Sequence, residues 1–276
     1  MKVMIVGLGL MGGSYAEGLK QKGYDVYGLD LNEAVFEKAK AIGLIHKMSS
    51  LEMISKMDLV ILALYPKDNV SFLKRNIEFF NEKQLLTDIS GTKAWMMHEI
   101  DAILKPNMRY LSHHPMAGRE TSGFDHRDET MFKGANAIIV LDNQSSKKDM
   151  EMLRKVLNDL EFGKITVTDP KTHDDFIAYT SQLTHILAVA LVNGHEDNDV
   201  KDATGDSYRD LTRIAKINET MWTELFLENK DALLSKIDQF KQALNDLEVA
   251  IKEENALSLK EMLKKAKEKR KTFDEH

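Results

Sequence analysis

The chain has 276 residues, enough for two domains and a substantial core, and its 43% hydrophobic and 30% charged content is that of a globular protein. A formal net charge of −6 argues against a nucleic-acid partner. The absence of cysteine excludes disulfides, thiolate metal ligands and a thiolate nucleophile, and no metal site is expected.

Residues 1–6 pass into glycines after a few apolar positions, which is neither a signal peptide nor a membrane span, so a cytoplasmic location without a membrane partner is expected. Residues 2–6 read as a first strand. Directly after it, Gly7-Leu8-Gly9-Leu10-Met11-Gly12 has the G-x-G-x-x-G spacing and opens a helix. Gly7 permits a tight turn, Gly9 lets a pyrophosphate approach the backbone, and Gly12 lets helix and strand pack closely, with Leu10 and Met11 between them. The helix start supplies unpaired N–H groups for the phosphates. Asp30 ends the second strand, eighteen residues beyond Gly12, where a carboxylate accepts ribose hydroxyls and repels a 2′-phosphate. The expected cofactor is therefore NAD rather than NADP. Pro66, after the third strand, is placed near the nicotinamide.

Short apolar or β-branched runs at 2–6, 25–29, 58–64, 85–89, 109–112, 137–141 and 165–168 alternate with amphipathic stretches such as 32–41 and 92–104. That order predicts βαβ units and an N-terminal, largely parallel, doubly wound Rossmann-like domain over 1–169. After Asp169-Pro170 the strand signals stop, and no proline follows. The remainder, 170–276, reads as an all-helical domain. Within it Leu233, Ile237, Phe240, Leu244, Leu247 and Ile251 recur at spacings of four and three, a seam that must be buried on its own domain or on a second copy. The basic run 264–271 reads as a solvated helix end.

His113-His114 is placed just past a strand, on the ligand-binding side of such a sheet. An imidazole can take a proton from a hydroxyl as hydride leaves the same carbon, and spacing does not choose between the two rings. Glu120, six positions on, is placed either to orient that ring or to contact substrate.

The string His114-Pro115-Met116-Ala117-Gly118-Arg119-Glu120, followed by Ser122-Gly123, resembles the HPxxGxE–SG signature of the prephenate and arogenate dehydrogenases. Arg209-Asp210-Leu211-Thr212-Arg213-Ile214-Ala215 resembles the RDxTRIA segment of the same family. The likeness spans nearly the whole chain and implies an enzyme of tyrosine biosynthesis. Such an enzyme oxidises and decarboxylates prephenate, or alternatively arogenate, with NAD, and its helical half forms a homodimer. By resemblance His114 polarises the ring hydroxyl and Arg213 grips a substrate carboxylate. Ser181, Gln182 and His185 match the family's SHxPH string, with Gln182 and Thr184 replacing histidine and proline. Trp222 matches a tryptophan extended toward the neighbouring subunit's site. The family serine that holds the catalytic histidine aligns with Gly91, leaving Ser90 or Thr92 to supply that hydroxyl.

Overall fold

The computed structural model describes residues 1–142, 145–195 and 198–273, so Asp274-Glu275-His276 lies outside the described residues. They group into two compact units, Met1–Asn229 and Lys230–His276.

In the first unit, β1 (Lys2–Val6) buries every residue but its first, as a strand covered on both faces does. It leads into α1 (Leu10–Gln21), β2 (Asp25–Leu29) and α2 (Glu33–Ala41). The α2 start is set by Asn32, whose side chain accepts from the N–H groups of Ala34 and Val35. Next come β3 (Leu59–Leu62), α3 (Pro66–Asn76), β4 (Leu85–Asp88), α4 (Ala94–Ile103) and β5 (Arg109–Tyr110). The five strands form one parallel sheet in the order β2-β1-β3-β4-β5. The order reverses at β1, so the glycine turn that follows β1 sits at the switch point where doubly wound sheets bind ligands.

The strand expected over 109–112 is broken at Leu111. The Leu111 N–H still bonds the Leu86 carbonyl at 3.0 Å, which completes the parallel ladder. The chain then turns into β6 (Ser112–Pro115), which pairs antiparallel with β7 (Ala137–Val140); β7 in turn runs parallel to β8 (Ile165–Thr168) beyond α5 (Lys147–Asp159). β6 has no ladder to β5, so the strands fall into two sheets, one of five strands and one of three. Apolar side chains of both sheets join one core: Val140 packs in the cluster that holds Leu86, Tyr110 and Met97.

From Pro170 onward every described element is helical: α6 (Pro170–Ile177), a π turn (Ala178–Gln182), α7 (Leu183–Asn193), α8 (Asp206–Thr212) and α9 (Glu219–Glu228), with short 3₁₀ turns between. The run Pro170–Asn193 reaches a mean hydropathy of 1.3, enough by length and composition to cross a membrane. Only 28% of that apolar stretch is buried, but His173, Asp174 and Gln182 within the run are buried and bonded to other parts of the same unit.

The second unit is a helical hairpin of α10 (Lys230–Lys252) and α11 (Ala256–Lys271). Glu254 turns the chain at φ 52°, and the Asn255 side chain caps α11 through the Ser258 N–H. The seam is incompletely covered: Leu244 and Ile251 are 53% and 62% exposed, and with Leu247, Leu259 and Leu263 they line an apolar groove.

Candidate functional site

The glycine turn is held by backbone geometry. Gly7 has φ 92° and donates its N–H to the Leu29 carbonyl at 2.8 Å. A Cβ on Gly12 would lie 1.8 Å from the Gly7 carbonyl oxygen, so only glycine allows β1 and α1 to meet. A Cβ on Gly9 would meet nothing within 4 Å; Gly9 caps α1 without a side chain, in front of the first α1 residues Leu10 and Met11. An open face before a helix start is what a pyrophosphate needs. Asp30 Oδ2 accepts from the Leu8 N–H at 2.7 Å and Oδ1 from the Asn32 N–H at 2.8 Å, which ties the carboxylate across the turn. Each oxygen keeps a lone pair for a ribose hydroxyl. These residues fit a bound dinucleotide.

Pro66 is buried and opens α3, where its missing N–H costs nothing. The turn before it is clamped by buried Asn69, which exchanges two hydrogen bonds with Leu64, each of 3.1 Å. Asn69 also donates to the Ser90 hydroxyl at 3.1 Å, and that hydroxyl faces Met96 Sδ. Thr92 donates to Glu228 Oε2 at 2.6 Å. Burial, with Glu224 beside it, pushes the Glu228 carboxyl up to about 7.

Strand alternation separates the two histidines of β6. His113 is fully buried, with Tyr15 Oη and Thr87 Oγ1 each 2.8 Å from one ring nitrogen. His114, opposite Ile138 in the ladder, is partly exposed. Its Nδ1 lies 2.9 Å from His173 Nε2, and His173 Nδ1 lies 2.8 Å from Asp174 Oδ1. Below them Lys93, fully buried, donates to Asp88 Oδ1 and to the His113 carbonyl, each at 2.7 Å. Asp88 Oδ2 accepts from Tyr110 and Ser112. Burial opposes the charge on Asp88, but the Lys93 ammonium and these donors outweigh it and hold the carboxyl below its usual range.

Burial, aided by Lys93, pushes His113 down to about 3. Burial lowers His114 and His173 as well. Below about pH 6.5 the unfolded chain therefore binds protons that the fold refuses, so stability falls on acidification. His113 alone contributes a slope of up to about 1.4 kcal/mol per pH unit. Glu228 acts oppositely: the fold holds its proton up to about 7, so its contribution rises as pH falls toward its unfolded value. Burial lowers His185 too, while Glu17 and Asp101 are raised alongside Glu228; with four histidines against three carboxyls, urea unfolding followed from pH ~6.5 to ~5 is expected to show a net loss of stability. A flat or rising profile would contradict the buried, neutral histidines.

Beyond β6 the chain reaches Glu120, which forms an ion pair with Arg213. His185 on α7 donates from Nδ1 to the Ser181 carbonyl at 2.8 Å and stacks on Trp222, with ring centroids 3.7 Å apart. Gln182 is buried; it donates to the Leu225 carbonyl and accepts from Asn229 Nδ2, both at 2.8 Å.

Residues 15–166 match the family model for the prephenate dehydrogenase nucleotide-binding domain, and residues 169–265 match the one for the prephenate dehydrogenase dimerization domain. The chain belongs to the prephenate dehydrogenase family. Among its relatives, the prephenate dehydrogenase of Lactococcus lactis is 30% identical over 285 residues, covering 100% of this chain and 78% of the relative. That of Bacillus subtilis is 28% identical, covering 97% and 75%. The crystal structure of prephenate dehydrogenase from A. aeolicus in complex with hydroxyphenyl propionate and NAD+ superposes with a TM-score of 0.90 at 30% identity, covering 99% of this chain and 98% of that one.

Within one chain of this member of the prephenate dehydrogenase family, the side chains singled out by the sequence make the following contacts. His114 lies inside a strand rather than past its end, because β6 continues to Pro115. Its Nδ1 is held by His173, whereas the hydroxyls of Ser90 and Thr92 are drawn to Met96 and to Glu228. Glu120 orients Arg213, not the imidazole. Gln182 bonds to the end of α9 and its neighbour Asn229, so its amide is occupied. Trp222 rests on His185 of its own chain. His173, Asp174, Lys93 and Asn69 were not singled out by the sequence; the one local signal was an adjacent His-Asp pair in the first turns of a helix.

Proposed function

We propose that the chain catalyses the NAD-dependent oxidative decarboxylation of prephenate to 4-hydroxyphenylpyruvate and CO2, as a cytoplasmic homodimer. The second domain, 170–276, is the part that binds substrate and pairs with a second copy. The observation that carries this reading is the continuity from His114 to Glu120. A half-buried histidine, whose Nε2 makes no hydrogen bond among the described residues, stands on the same stretch of chain that ends on the Arg213 guanidinium.

Gly7, Gly9, Leu10, Met11, Gly12, Asp30 and Pro66 hold the dinucleotide, which when bound accepts the hydride from the substrate ring. His114 Nε2 takes the proton of the ring C4 hydroxyl as that hydride departs. The bond from ring C1 to its carboxylate breaks, CO2 leaves, and the electrons of that bond aromatise the ring. The oxygen at C4 then recovers a proton as a phenol, so no net proton is released from the hydroxyl. Arg213, braced by Glu120, offers its remaining N–H groups as a fork for a substrate carboxylate. Ser181, His185 and Trp222 flank that fork, and Ser90 acts through Asn69 to hold the turn that leads to Pro66.

Spectrophotometric assays of NAD and NADP reduction with prephenate and with arogenate test the reading. NADH formed preferentially from prephenate is the expected result. Preference for arogenate would change the assigned substrate, and no reduction with either compound would refute the activity.

A further inference from the structure

We propose that His173, anchored by Asp174, is a positioning residue that fixes the proton-accepting tautomer of His114. The inference rests on the reading of His114 as the group that takes the substrate's proton.

The chain of bonds starts from a rigid point. Asp174 Oδ1 accepts from the Lys93 N–H at 2.9 Å and Oδ2 from the Ala94 N–H at 2.8 Å, so the carboxylate seats itself on the start of α4. Helix N-termini favour negative charge, which adds to the hold. The Asp174 backbone is fixed too, since its carbonyl accepts from buried Asn229 Nδ2 at 2.8 Å.

A carboxylate only accepts hydrogen bonds, so the His173 nitrogen 2.8 Å from Asp174 Oδ1 carries the proton: His173 is Nδ1–H. Burial disfavours a second proton on that ring, which leaves Nε2 as a lone pair. The group 2.9 Å from that lone pair is His114 Nδ1, which must therefore donate. A neutral imidazole that donates from Nδ1 has its lone pair on Nε2. One carboxylate, two rings away, thus selects the atom at which His114 receives a proton. When Nε2 takes the proton from the substrate oxygen, the O–H bond breaks and an N–H bond forms, while the Nδ1–H to His173 bond stays as it was. No proton has to travel along the chain. Without the acceptor at His173 Nε2, the opposite tautomer becomes available to His114, and in that form Nε2 carries a hydrogen and cannot act as base.

Two side chains separate positioning from simple packing. In His173→Gln the amide oxygen reaches about as far as Nε2 and can accept from His114; in His173→Asn the amide reaches only as far as Nδ1. The full-length protein and both variants are compared for kcat, KM for prephenate, NAD affinity and thermal midpoint. Histidine-¹⁵N NMR at neutral pH, with the His114 signals identified from a His114→Gln variant, reads the tautomer directly. The wild type is expected to show His114 protonated at Nδ1 and bare at Nε2. His173→Asn is expected to lower kcat by on the order of 10²–10³, with KM and NAD affinity within about twofold, and to move the His114 proton to Nε2. His173→Gln is expected to recover at least about tenfold of that loss.

Equal rates for the two variants, or a wild-type His114 protonated at Nε2, would overturn the inference. The NMR measurement needs no substrate. A wild type inactive on prephenate would therefore refute the proposed activity while the tautomer was still decided, and a variant that fails to fold leaves the wild-type spectrum to decide it.

Discussion

Replacing His114 with asparagine is expected to lower kcat by on the order of 10²–10⁴ while NAD affinity stays within about twofold. The backbone of position 114 is held by the β6–β7 ladder opposite Ile138, so the substitution removes an imidazole without moving the strand. The glycine turn between β1 and α1, and Asp30 just past β2, have no hydrogen bond to the ring to lose. Asparagine keeps polarity but offers no nitrogen base, so the loss falls on the step that needs a proton acceptor. Steady-state NADH formation gives kcat, and quenching of the protein's fluorescence by NAD gives the affinity. A variant with full activity would remove His114 from its assigned role. Loss of NAD binding together with activity would point to a collapsed fold instead.

Gly12→Ala and Gly9→Ala are expected to fail in different ways. The alanine Cβ at position 12 would stand 1.8 Å from the Gly7 carbonyl oxygen, a main-chain atom that cannot swing aside. Relief requires β1 and α1 to part, and Val3, Ile5, Tyr15, Ala16 and Leu19 of those elements are all fully buried in one cluster. Gly12→Ala is therefore expected to cost on the order of 4 kcal/mol or more and to abolish NAD binding. At position 9 the same methyl meets nothing within 4 Å, so the thermal midpoint should hold to within a few degrees. The methyl would occupy the space through which a pyrophosphate approaches the helix start, so NAD affinity should fall at least about tenfold. Thermal unfolding with and without NAD distinguishes the pair. A stable Gly12→Ala protein that still binds NAD, or an unaffected affinity in Gly9→Ala, would contradict the assignment of the turn.

The glycine turn, the five parallel strands and the switch to helices after Asp169 were legible in the sequence because each is written in neighbouring residues. A short apolar or β-branched run, a glycine spacing and a proline boundary need no knowledge of what lies across the molecule. The break at Leu111 was not legible. Residues 109–112 read as one strand, and only the partners, Leu86 on one side and Val140 on the other, divide it between two sheets.

The site was legible in the same partial way. His114, Glu120, Arg213 and His185 stand in recognisable strings, but the bonds among them depend on distant positions. Glu120 could be read equally toward the imidazole or the substrate, and Arg213, 93 positions away, settles which charge it meets. Gln182 stands where the resemblance implies a substrate contact, yet its amide is drawn to Leu225 and Asn229, 43 and 47 positions on. Asp174 draws its role from the N–H groups of Lys93 and Ala94, some 80 positions upstream. No local pattern announces such a partnership.

Because the proposed base is woven into the β6–β7 ladder, its backbone is held by a neighbouring strand. A side chain set between two hydrogen-bonded strands does not ride on a hinge. Entry of one ligand and escape of another must then be accommodated by segments outside that weave, while the backbone that carries the imidazole stays fixed. Changes that loosen this enzyme should then alter how quickly molecules come and go long before they alter the chemical event itself.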